Sequence, residues 1–346
     1  MKQRIYWIDN LKGFILLLVC FSHFGLFTDI CDYLKGARMT TFFFLSGLLF
    51  STQNHPTFKS YWKSKLHSLL IPYFILSFLF ALFPFSLKNE SIFTTELIYS
   101  LNIPFIIKKY INTYIISTID IIQGYSYIQG TASLWFVYTL FQVSIIYYLI
   151  SKLSNKHFKF ILLITSLYIG WYCNTNTLTL PFHLNTMFTS LFFYALGNYC
   201  HMYIYRERKN KNTKRNILIL FIIYTLSYFK GGHIDLFSNN LGASFTIFIL
   251  YTISGIFLLI EIFKYISKKE IIILGIFRNI SRNALIILTV HTFYVKVFNN
   301  LFNTHYYFNL FLVLVCTIIS IPIFRCYFYK LIGKEKISIK ESLSIK

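Results

Sequence analysis

Charge is scarce in this chain. Lysine, arginine, aspartate and glutamate supply 13% of its 346 residues, against about 25% in soluble domains. With 56% hydrophobic residues and a mean hydropathy of +0.58, that shortfall excludes an ordinary soluble fold. Acidic residues are the scarcest, 12 against 33 basic ones, for a net charge of +21. In a soluble protein this excess would suggest nucleic acid. Here the basic residues sit in short loops between apolar runs, as the positive-inside rule requires, so no nucleic-acid partner is expected.

Other absences narrow the class further. The six cysteines, at 20, 31, 173, 200, 316 and 326, show no CxxC, CxxCH or zinc spacing, so no metal is expected. Most lie in or beside apolar runs, which suits packing. Cys31 and Cys173 could both face outward, but sequence alone cannot pair them. Six prolines are few for the paired broken helices of many secondary transporters. Alternating ten-residue segments of the β-barrel kind are missing. No small-residue cleavage site follows Lys2 and Arg4, so the first apolar run is read as an uncleaved helix.

What is present is a series of apolar runs approaching the ~20 residues that cross a bilayer. The expected fold is an all-α integral membrane protein, a single domain over 1–346 with about ten transmembrane helices. These fall near 11–30, 38–52, 68–87, 131–150, 158–173, 184–204, 216–230, 241–265, 283–300 and 308–330. The stretch 88–130, interrupted by Pro104, Lys108 and Lys109, is expected on the outer face, lying on or dipping into the bilayer. Residues 331–346 form a basic tail. With both termini cytoplasmic, 26 of the 33 basic residues fall on inner segments and 7 on outer ones. Missing or inventing one helix would spoil that asymmetry.

The first run, DNLKGFILLLVCFSH from Asp9 to His23, carries the strongest chemical signal. Eleven residues separate Lys12 from His23. At ~1.5 Å and ~100° per residue a helix sets them roughly 16 Å apart on one face, with Asp9 near the same face. The helix therefore has a charged foot and an ionisable ring expected near mid-depth. Lys12 with Gly13 suits an anion, because a lysine is a compact phosphate-binding charge and glycine admits close approach. The ~16 Å is about the reach of an extended pantetheine arm, so an acyl-coenzyme A could set its phosphates at Lys12 and its thioester at His23. Two plainer readings stand beside this one. His23 could be a neutral histidine bonded to a neighbouring helix, and Lys12 an ordinary inner-face cation.

The order of motifs resembles the membrane acyltransferase 3 family. It runs D-N-L-K-G-x9-H, then RMTTFFFLSG, SLWFVYTLF at 133–141 and SRNALIILTVHTF at 281–293. The opening RIYWIDNLKGF is closest to the fucose 4-O-acetylase-like branch. The resemblance covers about Arg4 to Lys330. Lys12 stands where the family often has Arg, Thr40 where it often has a proline, and Ala284 where it often has Ser. It implies transfer of an acyl group, usually acetyl, from acyl-coenzyme A to a hydroxyl of a cell-surface polysaccharide or lipid-linked glycan at the inner membrane. His23 and Arg38 map onto catalytic positions, His23 as general base. Lys12, Gly13 and Arg282 are expected at the donor, with Arg278 nearby. Asp9, Ser46, Trp135, Asn283 and His291 are expected to shape the site. Arg38 could hold the acceptor or the oxyanion, or simply snorkel. Ser46 beside Gly47 also suits close helix packing. A transient acyl-histidine is the second mechanistic option. The competing class is a transporter or flippase for a lipid-linked glycan. A membrane haem or quinone protein using His23 and His291 is the weakest reading. His183, His233 and His305 are expected in outer loops and are assigned nothing.

Overall fold

A computed structural model describes residues 5–53, 55–83, 103–124, 132–205, 212–231, 233–269, 271–301 and 306–333. The described chain is helical. Its helices are α1 (Tyr6–Phe24), α2 (Thr28–Tyr33), α3 (Lys35–Leu48), α4 (Phe58–Lys65), α5 (Ile71–Ala81), α6 (Ile103–Ile122) and α7 (Trp135–Lys152). They continue as α8 (Lys156–Thr175), α9 (Leu184–Tyr199), α10 (Thr213–Gly231), α11 (Phe245–Ile266), α12 (Ile272–Arg282), α13 (Ala284–Leu301) and α14 (Tyr306–Cys326). No strand occurs among the described residues, only an isolated antiparallel bridge between Asp235 and Asn240.

Four described helices are individually long and apolar enough to cross a membrane: Tyr6–Phe24, Phe58–Ala81, Phe245–Ile266 and Tyr306–Cys326. Counting Ile272–Arg282 with Ala284–Asn299 as one broken span makes five. Phe58–Ala81 includes a π-helical turn at Leu66–Leu70. The third helix, expected over 68–87, therefore begins ten residues earlier in the chain.

The first helix is displaced the other way. Expected over 11–30, it runs Tyr6–Phe24 and stops because Gly25 adopts a left-handed conformation, φ 68°. Gly25 N–H and Leu26 N–H close onto the carbonyls of Ser22 and Phe21, capping the helix. His23 thus lies in the last turn of α1 and not near the middle of the run. Within 88–130, α6 is one continuous helix. Pro104 falls in its first turn, where the missing N–H costs no hydrogen bond. Residues 88–102 and 125–130 of that stretch, and 334–346 of the tail, lie outside the described residues.

The helices form two compact units. The first holds α1 to α4, most of α7, and α8 to α12. Its core is built on close helix contacts. A Cβ at Gly47 would overlap the Tyr194 carbonyl, and one at Gly197 the Phe44 carbonyl. Helices α3 and α9 thus meet backbone to backbone, which small residues allow inside a membrane. Helix α11 packs on both α3 and α10. Buried Asn10 donates from Nδ2 to Ser267 Oγ at 2.8 Å, joining α1 to the end of α11.

The second unit holds α5, α6, the start of α7, α13 and α14. Tyr73 Oη donates to the Ile121 carbonyl at 2.8 Å, joining α5 to α6. Phe80 and Phe83 lie against Phe293, with ring centroids 4.7 and 5.2 Å apart. Tyr294 and Ser320 hydroxyls pair at 2.8 Å between α13 and α14.

Candidate active site

The chemically distinctive residues of the first unit gather where α1 ends and α3 begins. His23 is exposed in the last turn of α1. The chain then turns through Phe27, left-handed at φ 50°, and makes the short α2. Leu34 ends α2 and starts α3. This places Lys35 and Arg38 together in the first turn of α3, three residues apart and on adjoining positions.

Arg38 is buried. Its Nη1 donates to the Leu18 carbonyl of α1 at 3.0 Å, so a charged group holds the two helices together. Nε of Arg38 is buried without a hydrogen-bond partner among the described residues. Cys31 Sγ lies 3.6 Å from the same Leu18 carbonyl. The hairpin turns α3 back onto α1, so Arg38 is bonded to the helix that carries His23, five residues before it.

Lys35 is held from beyond the hairpin. Its Nζ lies 3.2 Å from Asp235 Oδ2 and 3.0 Å from His233 Nε2. Asp235 Oδ1 accepts from the Phe237 N–H at 3.0 Å. Asn239 donates to the Gly170 carbonyl at 2.9 Å, and Leu241 N–H donates to Asn174 Oδ1 at 2.9 Å. The loop between α10 and α11 is therefore fixed to α8 and α3. Below it, the hydroxyls of Tyr224 and Tyr251 both donate to the Tyr33 carbonyl at 2.5 Å.

His233 lies in a loop, as expected, and has Lys35 as a partner there. The signal was absent from sequence because Lys35 and His233 are 198 positions apart. His183 departs from expectation. It is a buried residue at the start of α9, where burial pulls its imidazole down to about 4. His305 lies outside the described residues.

The other half of α1 carries Asp9, Lys12 and Gly13. Asp9 and Lys12 are partly exposed. Gly13 is buried, and a Cβ there would overlap the Phe277 carbonyl of α12. The close approach that Gly13 permits is taken by a neighbouring helix. Phe14 completes the contact, with its ring 5.8 Å from that of Phe277. Arg278 of α12 lies over the Tyr6 ring, 5.3 Å from its centre, and Arg282 is the last residue of α12. Helix α1 is thus joined to the basic helix α12. Asp9 also lines a cavity of about 870 Å³ with Ser51, Gln53, Asn198 and His201. Ser46 Oγ turns back to the Phe42 carbonyl at 2.9 Å, beside the close contact at Gly47.

Trp135, Asn283 and His291 belong to the second unit, and all are buried. Asn283 starts α13 through its carbonyl, which accepts from the Ile287 N–H at 3.0 Å. His291 Nδ1 lies 2.5 Å from the Ile287 carbonyl. Ser133, two residues before Trp135, donates to the Leu288 carbonyl.

A helical protein with several membrane-length apolar helices is a membrane protein. Residues 5–325 match the acyltransferase 3 family, described as an acyltransferase domain. The chain belongs to that family and is a membrane acyltransferase. No curated protein and no solved structure matches it.

Proposed function

We propose that the protein transfers an acyl group, acetyl by preference, from acyl-coenzyme A to a hydroxyl of a cell-surface polysaccharide or lipid-linked glycan. Family membership supports acyl transfer. The observation that carries the mechanism is the place of His23 in the last turn of α1, the helix to which the buried Arg38 is tied. The opening RIYWIDNLKGF supports the fucose 4-O-acetylase-like branch. The proposed setting is the inner membrane, with about ten spans and cytoplasmic termini, supported by the 26-to-7 basic asymmetry.

A sugar hydroxyl is a poor nucleophile at neutral pH. His23 takes its proton as the oxygen attacks the thioester carbonyl. The Arg38 guanidinium, held by Leu18, stabilises the oxyanion that forms. When the carbon–sulfur bond breaks, His23 returns the proton to the departing thiolate. Lys12 and Arg282 contact the donor phosphates, with Arg278 nearby. Gly13 supports that site indirectly by seating α12 against α1. Asp9 and Ser46 shape the surroundings.

The test is thiol release from acetyl-coenzyme A by purified protein supplied with glycan. Wild type is expected to release thiol in proportion to acetylated product. His23→Ala is expected to lose ~10²–10⁴-fold in turnover while still binding donor. Undiminished turnover in His23→Ala removes the histidine from the chemistry. Movement of unmodified glycan across the membrane without thiol release favours a flippase.

A further inference from the structure

We propose that Lys35, Asp235 and His233 form the acceptor subsite, selecting a neutral sugar that offers adjacent hydroxyls over a sugar acid. This rests on the acyl-transfer reading above and adds the acceptor class to it.

Three observations converge. The cluster starts on the same turn of α3 as Arg38, so the group that tethers α3 to α1 also fixes Lys35 with respect to His23. Lys35 Nζ meets both Asp235 at 3.2 Å and His233 at 3.0 Å, so three polar side chains converge at one point. Finally, the three side chains are open enough to meet a ligand. Lys35 and Asp235 side chains are 25% and 26% accessible, and His233 is exposed. The loop beneath them is rigid, since Asp235, Asn239, Asn240 and Leu241 all bond to neighbouring backbone or side chains.

The chemistry of the cluster sets the ligand class. An ammonium donates to a hydroxyl oxygen and a carboxylate accepts from a hydroxyl proton. Held 3.2 Å apart, the two present one donor and one acceptor at a spacing that neighbouring sugar hydroxyls can bridge. His233 adds a third polar edge. Because Asp235 already balances Lys35, an anionic sugar gains little attraction and meets a carboxylate. Exposed Phe27, its ring 5.4 Å from that of Phe21, supplies an aromatic face four residues from His23 in sequence. Such a face suits the apolar side of a pyranose.

Binding and transfer are measured with two probes, methyl fucoside and methyl glucuronoside, on the purified full chain. Saturation-transfer NMR reads binding, and acetylated product from acetyl-coenzyme A reads transfer. Wild type is expected to bind and acetylate the neutral probe in preference to the acid. Asp235→Asn keeps the acceptor for the Phe237 N–H but frees the Lys35 charge, so it is expected to shift the neutral-to-acid ratio about tenfold towards the acid. Lys35→Gln is expected to weaken both probes and to abolish the effect of Asp235→Asn in the double variant. A loss of folding would lower both probes alike and leave the ratio unchanged. An unchanged ratio in an Asp235→Asn variant that still binds the neutral probe, a wild-type preference for the acid, or binding of neither probe by wild type overturns the subsite. Selective binding of the neutral probe without any transfer keeps the subsite and sinks the acyl-transfer reading instead.

Discussion

Arg38 spends one of its donors on a backbone carbonyl, and that fixes what the residue can do. A snorkelling arginine would extend its head to water. This one is buried with Nη1 on Leu18, a helical turn and a little more before His23. The bond makes the guanidinium a fixed charge at the end of α1, as an oxyanion partner must be. Lys12 is the residue-scale test at the other end of the helix. Lys12→Ala is expected to raise the donor KM several-fold, whereas Lys12→Arg keeps the charge and is expected to stay near wild type. Steady-state kinetics with varied acetyl-coenzyme A decide this. An equal rise in both variants would assign Lys12 to topology or folding.

Individual residues also show where sequence reasoning reached and where it stopped. The motifs that carry His23 and Arg38 were legible in their order along the chain, whereas the bond of Arg38 to the Leu18 carbonyl was not. The partners of Lys35 were not legible, because a loop nearly two hundred residues away supplies them. Gly13 was recognised as a place of close approach, but periodicity could not tell a ligand from a neighbouring helix. Asn10 stands inside the same motif, and its bond to Ser267 is equally invisible to local pattern.

At the scale of elements, boundaries moved for local reasons. Helix α1 stops at a left-handed glycine inside an apolar stretch, which hydropathy alone reads through. Helix α6 continues past Pro104 because the proline is its second residue. Contacts between elements depend on small residues more than on apolar bulk. Helices α3 and α9 touch at Gly47 and Gly197, and α3 carries Lys35 and Arg38. Gly47→Val is therefore expected to cost about 1–3 kcal/mol by forcing the backbones apart. Thermal unfolding in detergent should show a lowered midpoint, with activity falling in parallel. A valine tolerated without change in either would remove that contact from the support of the site.

For the whole molecule, composition settled the class: few charges, many apolar residues and an excess of basic ones point to a helical membrane protein. Spans were harder to count. Helix α9, with its asparagines, threonines and serine, is only 16 residues long, short of the ~20 that span a bilayer, and it packs its polar residues inside the first unit. The proposed topology has its own test. Reporters fused after residues 55, 154 and 212 are expected on the cytoplasmic side, and reporters after residues 35 and 233 outside. A reversed pattern at the later positions would mean that one proposed span does not cross.

The most direct test of acyl transfer at His23 is mass spectrometry of surface glycans. Cells lacking the protein would be compared after complementation with wild type or His23→Ala. Glycans are expected to lose the mass of one acetyl group per modified sugar, and only wild type should restore it. Acetylation left intact in the deletion, or restored fully by His23→Ala, would contradict acyl transfer through this histidine.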